Sequence, residues 1–197
     1  MIELIIVRHG QSIADIENRY EGKADFPLTD LGKKQAKNVS KFLKEKYISD
    51  EIYSSPLKRA SETAEIIGKE FNQNIIYDDN LREWDNGVIA GLLRKEANIL
   101  YPEPKGGRKY FQKIEEGESL LDLRYRAEYF LANLLETLQQ EDKDKKICIV
   151  SHGKMISMLY RSFLNLPLDC DIWLDTGDTG VHIWRIVNNK RIIVYCD

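Results

Sequence analysis

Two runs of consecutive apolar residues, each followed closely by a His-Gly pair, stand out in the pattern of hydrophobic and polar positions. They occupy residues 4–7 and 147–150. Apolar runs without alternation predict strands that are buried on both faces, as in a parallel sheet. Residues 181–187 and 191–195 instead alternate on either side of Asn188-Asn189. This alternation predicts an antiparallel hairpin at the edge of the sheet.

Apolar residues at helical spacing lie between these strands. They predict helices over residues 31–46, 92–100, 118–140 and 153–164, and a further helix with Pro56 in its first turn. Two more strands are predicted over residues 51–55 and 74–77, and a loop with one short helix over residues 13–30. Thr29 is the expected N-cap of the helix over 31–46. Strands that alternate with helices indicate a three-layer α/β/α sandwich with a mostly parallel sheet.

Composition narrows the classes of function. The chain has 197 residues, which suits a single domain over residues 1–197. Its net charge of −3 gives no broad basic field for nucleic acid. No apolar run is long enough to span a membrane, and no signal segment opens the chain, so we expect a cytoplasmic protein. Cys148, Cys170 and Cys196 have neither disulfide-framework nor metal-site spacing, and Cys148 should be a small buried side chain.

The first candidate chemistry lies where the two apolar strands end. Arg8, His9 and Gly10 follow the first strand, and His152 with Gly153 follows the second. Open α/β sheets bind ligands at the carboxyl ends of their parallel strands. An arginine there can clamp an oxyanion with two donors, and a neutral histidine can act as nucleophile or proton carrier. The helix expected after His152 adds amides that attract an anion.

Two further segments supply a cation and an acid. Arg59 follows a strand end at the start of a helix, where it can act as a second phosphate clamp. The segment 81–87 contains acids that can give and take a proton. Spacing alone leaves the choice of acid open among Glu83, Asp78, Asp79 and Asp85.

Six motifs carry a family resemblance that covers most of the chain. They are Arg8-His9-Gly10-Gln11-Ser12, Leu28-Thr29-Asp30-Leu31-Gly32 with Gln35-Ala36, Ser54-Ser55-Pro56-Leu57-Lys58-Arg59-Ala60 with Thr63-Ala64, Leu81-Arg82-Glu83 with Gly87 and Gly91, Gly117-Glu118-Ser119, and Val150-Ser151-His152-Gly153. In this order and spacing they resemble the histidine phosphatase superfamily, also called the phosphoglycerate mutase-like family.

The resemblance implies roles that spacing does not assign. His9 would be the nucleophile that forms a phosphohistidine, with Arg8, Arg59 and His152 binding the transferred phosphoryl group. Glu83 would be the proton donor to the leaving oxygen. A backbone carbonyl bonded to one ring nitrogen would direct the other at phosphorus, and the sequence leaves its identity open. The implied substrate contacts are Gln11, Ser12, Asp15, Glu21, Gly22 and Gly153. No metal and no cofactor is implied.

The family contains both phosphatases and mutases, and this chain departs from the mutases it resembles. Asp15 stands where they carry Asn, Glu21 where they carry Thr, and Trp84 where they carry Arg. Each change adds negative charge or removes a donor near a polyanionic substrate, which favours a phosphatase. Arg94 and the pair Arg108-Lys109 instead favour a mutase, since they could reach a second phosphate.

The expected partner is a small phosphorylated metabolite, and a homodimer stays open. Four aromatic residues would allow an apolar or aromatic leaving group: Trp84, Tyr101, Tyr110 and Phe111. Two other classes of protein share some of these features. A binding or regulatory protein could keep the phosphate pocket without turnover. A histidine-ligated metalloenzyme has little support, because His9 and His152 lack carboxylates at ligand spacing and His182 is best explained as an ordinary strand residue.

Overall fold

A six-stranded mixed sheet forms the centre of the computed structural model, which describes residues 1–140 and 143–196. The side chain of Cys196 lies outside the description. The strands are β1 (Ile2–Arg8), β2 (Glu51–Ser54), β3 (Ile75–Tyr77), β4 (Lys145–Ser151), β5 (Val181–Val187) and β6 (Lys190–Cys196). Their order is β3-β2-β4-β1-β5-β6. The first four in this order are parallel, whereas β5 runs antiparallel to β1, and β6 antiparallel to β5.

Helices cover both faces of this sheet. The α-helices of the described residues are α1 (Ile13–Ile16), α2 (Asp30–Lys46), α3 (Lys58–Phe71), α4 (Arg94–Leu100), α5 (Leu120–Gln140) and α6 (Gly153–Phe163). Apolar residues of α5 and α6 pack on one face of the sheet, and those of α2 and α3 on the other. The predicted three-layer α/β/α sandwich with an antiparallel edge hairpin is therefore confirmed. Helix α5 is the longest of the described helices, yet none of them is both long and apolar enough to cross a membrane.

The predicted elements differ from the observed ones mainly at their ends. Pro56 was expected in the first turn of α3, but it precedes the N-cap residue Leu57 and lies outside the helix. Helix α5 begins at Leu120 because the Ser119 hydroxyl accepts the amide of Asp122, and the Asp122 carboxylate accepts the amide of Ser119. Cys148 is fully buried in β4 as expected, and burial raises the pKa of its thiol to about 12.

The turn after β1 is held against the start of α2 by a backbone contact that only glycine permits. A Cβ on Gly10 would lie 2.6 Å from the carbonyl oxygen of Gly32. A Cβ on Gly32 would lie 2.1 Å from the carbonyl oxygen of Gln11. The amide of Thr29 donates to the same Gln11 oxygen at 2.9 Å. Helix α2 therefore fixes the course of the chain directly after Arg8 and His9.

We predict that Gly32→Ala destabilises the protein by about 1–3 kcal/mol, because the added methyl group forces two backbone segments apart. Urea denaturation followed by circular dichroism measures the change. Gly177→Ala is the matched control, since a Cβ there meets no atom within 4 Å. Equal stability of the two variants would contradict the prediction.

Candidate active site

Strand register brings the two predicted histidines together at the carboxyl edge of the sheet. Arg8 of β1 lies opposite Ser151 of β4, and the amide of His9 donates to the Ser151 carbonyl oxygen at 3.0 Å. His152 follows Ser151 directly. The centroids of the two imidazole rings are consequently 5.0 Å apart, with the rings at 60°.

The ring of His9 is fixed in one tautomer. Its Nδ1 lies 2.8 Å from the carbonyl oxygen of Gly10. Because a carbonyl oxygen can only accept, Nδ1 carries the proton and Nε2 keeps its lone pair. Burial, followed by the positive charges of Arg59 and Arg8, lowers the pKa of His9 to about 3. His9 is thus a neutral imidazole at neutral pH, and Nε2 is its unprotonated nitrogen.

Two arginines flank this ring, and backbone carbonyls hold both of them. Arg59, which is fully buried in the first turn of α3, donates to the carbonyl oxygens of Gly22 at 3.0 Å and Ala24 at 2.9 Å. Arg8 donates to the carbonyl oxygen of Thr176 at 2.5 Å and lies 3.8 Å from the Asp178 carboxylate. Each guanidinium is anchored by its Nη atoms.

His152 is anchored from the neighbouring strand. Its Nε2 lies 2.8 Å from the hydroxyl oxygen of Ser55, the residue that follows β2. Burial and the charge of Arg59 lower the pKa of His152 well below its usual value, so this ring is also neutral. When the Ser55 hydroxyl donates to Nε2, the proton of the imidazole is on Nδ1 and can be donated to a ligand.

Each of the four residues predicted to hold the phosphoryl group has one buried polar atom without a hydrogen-bond partner. These atoms are His9 Nε2, Arg8 Nε, Arg59 Nε and His152 Nδ1. Buried polar atoms are nearly always bonded, so a cluster of unbonded ones marks a place for a ligand. With two guanidinium groups in this set, the arrangement suits an oxyanion.

Of the four acids that spacing left open, only Glu83 faces the candidate site. Its Oε1 accepts from the amides of Trp84 at 2.8 Å and Met155 at 3.2 Å, and its Oε2 from the amide of Lys154 at 3.3 Å. The last two amides belong to the first turn of α6, whose dipole also attracts a carboxylate. The other three acids bond locally: Asp78 with Asn80, Asp79 with Arg82, and Asp85 with Gly87 and Lys23.

A cleft of about 500 Å³ lies beside the buried groups. Six of the predicted residues line it: Arg8, Asp15, Glu21, Glu83, Arg94 and Gly153. A second cavity of about 150 Å³ adjoins it through Glu21, Glu83, Arg94 and Lys154, and Gly22 lines this one. Cavities of this size, with polar and aromatic walls, suit a small polar ligand.

Glu21 connects the cleft with the buried site. Its Oε2 lies 3.8 Å from His9 Nε2, and its Oε1 lies 3.3 Å from Arg59 Nε. The hydroxyl of Ser12 donates to Oε1 at 2.5 Å. A carboxylate therefore already lies among the predicted phosphate-binding groups.

Ser12 and Gln11 line neither cavity. Ser12 is the N-cap of α1, where it forms a reciprocal capping box with Asp15. The side-chain oxygen of Gln11 accepts from the Thr29 hydroxyl at 2.9 Å. Their predicted contact with substrate stays a prediction.

The two cavities are lined by only some of the residues proposed to surround the site. Trp84 lines the smaller cavity, and Arg94 lines both. The remaining residues proposed for the leaving group or a second phosphate line neither cavity, and their contact with substrate stays a prediction: Tyr101, Arg108, Lys109, Tyr110 and Phe111. Of these, Phe111 is 53% exposed. His182 lies in β5 as expected.

The segment between α6 and β5 contributes to the site and was missed. It supplies Thr176 and Asp178 to Arg8, and the indole of Trp173 to the cleft wall. The sequence feature that could have indicated this segment is the cluster of turn residues at positions 175–180, directly before a strand that pairs with β1. Among the described residues, no group of three histidine, cysteine or acidic side chains is placed to hold a metal ion.

Comparisons with known proteins agree with this geometry. The profile of the histidine phosphatase superfamily (branch 1) matches residues 4–196. Phosphoserine phosphatase 1 of Hydrogenobacter thermophilus is 34% identical over 173 residues, which cover 85% of this chain and 79% of that protein. A probable phosphoglycerate mutase of Escherichia fergusonii is 37% identical over 175 residues, covering 85% of this chain and 77% of its own.

A solved structure of a phosphatase is also similar to this chain. The native mycobacterial glucosyl-3-phosphoglycerate phosphatase superposes with a TM-score of 0.81 at 27% identity, covering 92% of this chain and 89% of that one. The chain is therefore a member of the histidine phosphatase superfamily, in branch 1. Named relatives in this superfamily are phosphatases or mutases.

The depressed pKa of His9 predicts a pH dependence of stability. Between its folded pKa of about 3 and the unfolded value of 6.5, only the unfolded chain binds the proton, so stability falls as pH drops below 6.5. Protonation of His9 in the unfolded chain therefore lowers the free energy of unfolding at pH 5 by about 2 kcal/mol. Urea denaturation at pH 7 and pH 5 should show a smaller loss in His9→Gln than in the parent protein. Equal losses would contradict the assignment of a neutral buried His9.

Proposed function

We propose that this protein is a metal-independent phosphomonoester hydrolase that acts through a phosphohistidine on His9. The observation that carries the proposal is the state of the His9 ring. Its Nδ1 is bonded to Gly10, which leaves the lone pair of the buried Nε2 without a partner. A neutral, oriented imidazole is the form in which histidine attacks phosphorus.

In the first step, His9 Nε2 attacks the phosphorus atom and forms a P–N bond while the ester P–O bond breaks. The Glu83 carboxyl group gives its proton to the leaving alcohol oxygen. In the second step, the Glu83 carboxylate takes a proton from water, the water oxygen bonds to phosphorus, and the P–N electron pair returns to Nε2. Phosphate is released and the protonated Glu83 is restored.

The phosphoryl group would be bound by Arg8, Arg59 and His152. Each has a buried nitrogen without a hydrogen-bond partner beside His9, and the transferring oxygens can accept from all three. Charge in a phosphoryl transition state is spread over the equatorial oxygens, so positioned cations supply much of the catalysis. Since the Glu21 carboxylate approaches Arg59 and His9, an incoming phosphoryl group must take its place.

The substrate is proposed to be a small phosphorylated metabolite. The cleft of about 500 Å³ has room for a small leaving group next to Glu83. The similar phosphoserine phosphatase and glucosyl-3-phosphoglycerate phosphatase, by their names, remove phosphate from small metabolites. Both support hydrolysis as the reaction.

A cofactor-dependent phosphoglycerate mutase is the second candidate, favoured by the similar probable mutase and by Arg94 in the cleft wall. Two carboxylates weigh against it, since Asp15 and Glu21 line the same cleft. A carboxylate about 4 Å from a second phosphate costs on the order of 4 kcal/mol at an effective dielectric of 20. A non-catalytic phosphate-binding protein would keep the same pocket without turnover.

We predict that rapid quenching during turnover traps a phosphoprotein that is labile in acid and stable in base, as a phosphoramidate is. His9→Ala should abolish both the label and turnover while the protein stays folded. The reaction should be insensitive to a chelator. Label that survives in His9→Ala would assign the nucleophile elsewhere, and a folded parent protein without turnover of a phosphomonoester panel would favour the binding protein.

The mutase alternative predicts a different product. The enzyme is given 3-phosphoglycerate with catalytic 2,3-bisphosphoglycerate, and 2-phosphoglycerate and free phosphate are measured together. We expect phosphate to be released and little 2-phosphoglycerate to form, because the carboxylates disfavour a bisphosphorylated intermediate. Formation of 2-phosphoglycerate much faster than any ester is hydrolysed would show that the enzyme is a mutase.

A further inference from the structure

The segment 80–85, here called the Glu83 strap, is held by an ion pair that lies outside the cleft. Arg126 and Glu118 form this pair on α5 and just before it. Arg126 Nε lies 2.7 Å from Glu118 Oε1, and Arg126 Nη2 lies 2.8 Å from Glu118 Oε2. The two side chains thus meet in the bidentate geometry that makes such pairs rigid.

The remaining donors of Arg126 all bond to the strap. Its Nη1 donates to the carbonyl oxygens of Asn80 at 2.8 Å and Arg82 at 3.1 Å, and its Nη2 donates to that of Glu83 at 3.2 Å. A guanidinium has five N–H donors, and together with the two bonds to Glu118 all of them are used. Its side chain is only 17% exposed.

Glu118 binds the next two residues of the strap. Its side chain accepts from the amide of Asp85 at 3.1 Å, and its own amide donates to the Asp85 carbonyl oxygen at 2.7 Å. Its carbonyl oxygen accepts from the indole nitrogen of Trp84 at 2.8 Å. The pair therefore contacts five of the six positions of the strap, and the sixth, Leu81, is buried in the core.

We propose that Arg126, together with Glu118, is a positioning residue that aims the Glu83 carboxyl group at the leaving oxygen. This proposal rests on the proposed role of Glu83 as proton donor. Arg126 lines neither cavity and reaches Glu83 only through its backbone carbonyl oxygen. The carboxylate end of Glu83 is held separately, by the amides at the start of α6. Bonds at both ends fix the side chain between α5 and α6.

The chemistry of the leaving group provides a sharp test. p-Nitrophenolate leaves without a proton, whereas the alkoxide of glycerol 2-phosphate requires one. Loss of a well-placed proton donor therefore slows the alkyl ester far more than the aryl ester. A general loss of folding or of phosphate binding slows both equally. The ratio of kcat/KM values for the two substrates reports the position of the donor, since kcat/KM includes the step in which the alcohol leaves.

Arg126→Lys keeps the charge and removes the planar fork that reaches three carbonyls. We expect its kcat/KM for glycerol 2-phosphate to fall at least about tenfold. The whole contribution of a positioned acid, about 10²–10⁴-fold, is the upper limit of this loss. The value for p-nitrophenyl phosphate should change less than about threefold. Arg124→Lys is the matched control, because Arg124 on the same helix pairs with Glu128 and the Leu166 carbonyl oxygen, away from the strap. It should leave the ratio unchanged.

Glu83→Gln separates failure of this proposal from failure of the proposed function. If Glu83→Gln slows both substrates equally, Glu83 is not the proton donor, and the positioning role falls with it. If Glu83→Gln is selective for the alkyl ester and Arg126→Lys is not, the positioning role alone is wrong. The double variant should be no slower on glycerol 2-phosphate than Glu83→Gln, and additive losses would overturn the proposal.

Thermal unfolding establishes that each variant is folded before it is assayed. If Arg126→Lys does not fold, Glu118→Gln tests the same proposal. The neutral side-chain amide of glutamine weakens the pairing with Arg126, and its NH₂ group cannot accept from the backbone amide of Asp85. Its expected result is the same selective loss on the alkyl ester. Equal loss on both substrates in the folded variant would overturn the proposal.

Discussion

The hydrogen bond from His9 Nδ1 to the carbonyl oxygen of Gly10 is the interaction on which the candidate site depends. It selects the tautomer and leaves the lone pair on Nε2. The backbone after His9 also lies directly against Gly32 of α2, where no Cβ fits. Burial beside two guanidinium groups then keeps the ring neutral. The conformation of one turn thus determines the chemical state of the proposed nucleophile.

Arginines bonded to backbone carbonyls hold the loops around this turn. Arg59 binds the loop at Gly22 and Ala24, Arg8 binds the segment at Thr176, and Arg126 binds the strap that carries Glu83. A carbonyl oxygen satisfies a buried donor without neutralising its charge. The hydrogen bonds from the Nη atoms of the two arginines next to His9 therefore fix the shape of the site and leave its charge to be balanced by carboxylates or by a phosphoryl group.

Negative charge balances these cations from the cleft side. Glu21 lies 3.3 Å from Arg59 Nε and 3.8 Å from His9 Nε2, and Asp15 lines the same cleft. A monoester can replace one carboxylate at the arginines, whereas a second phosphate must lie next to the remaining ones. Under the proposed function, this arrangement of charges favours a substrate with one phosphate over one with two.

The sequence by itself determined the layers of the fold and the central pair of histidines. Apolar runs and helical spacing depend on neighbours along the chain, so β1, β4, α2 and α5 were predicted within one or two residues of their observed bounds. Parallel pairing then brings the ends of β1 and β4 to one edge, which is why His9 and His152 were expected together.

Only the tertiary structure decided what depends on contacts between distant segments. Spacing left four acids open and the family resemblance named Glu83, but only the structure shows that, of the four, the amides of α6 reach the Glu83 carboxylate alone. It identified Gly10 as the source of the carbonyl that orients His9, and it brought Thr176 from an irregular segment to Arg8. It also separated Tyr110 and Phe111 from the cleft. Such contacts leave no periodic pattern, since irregular segments follow the surface they pack on and not the order of their own residues.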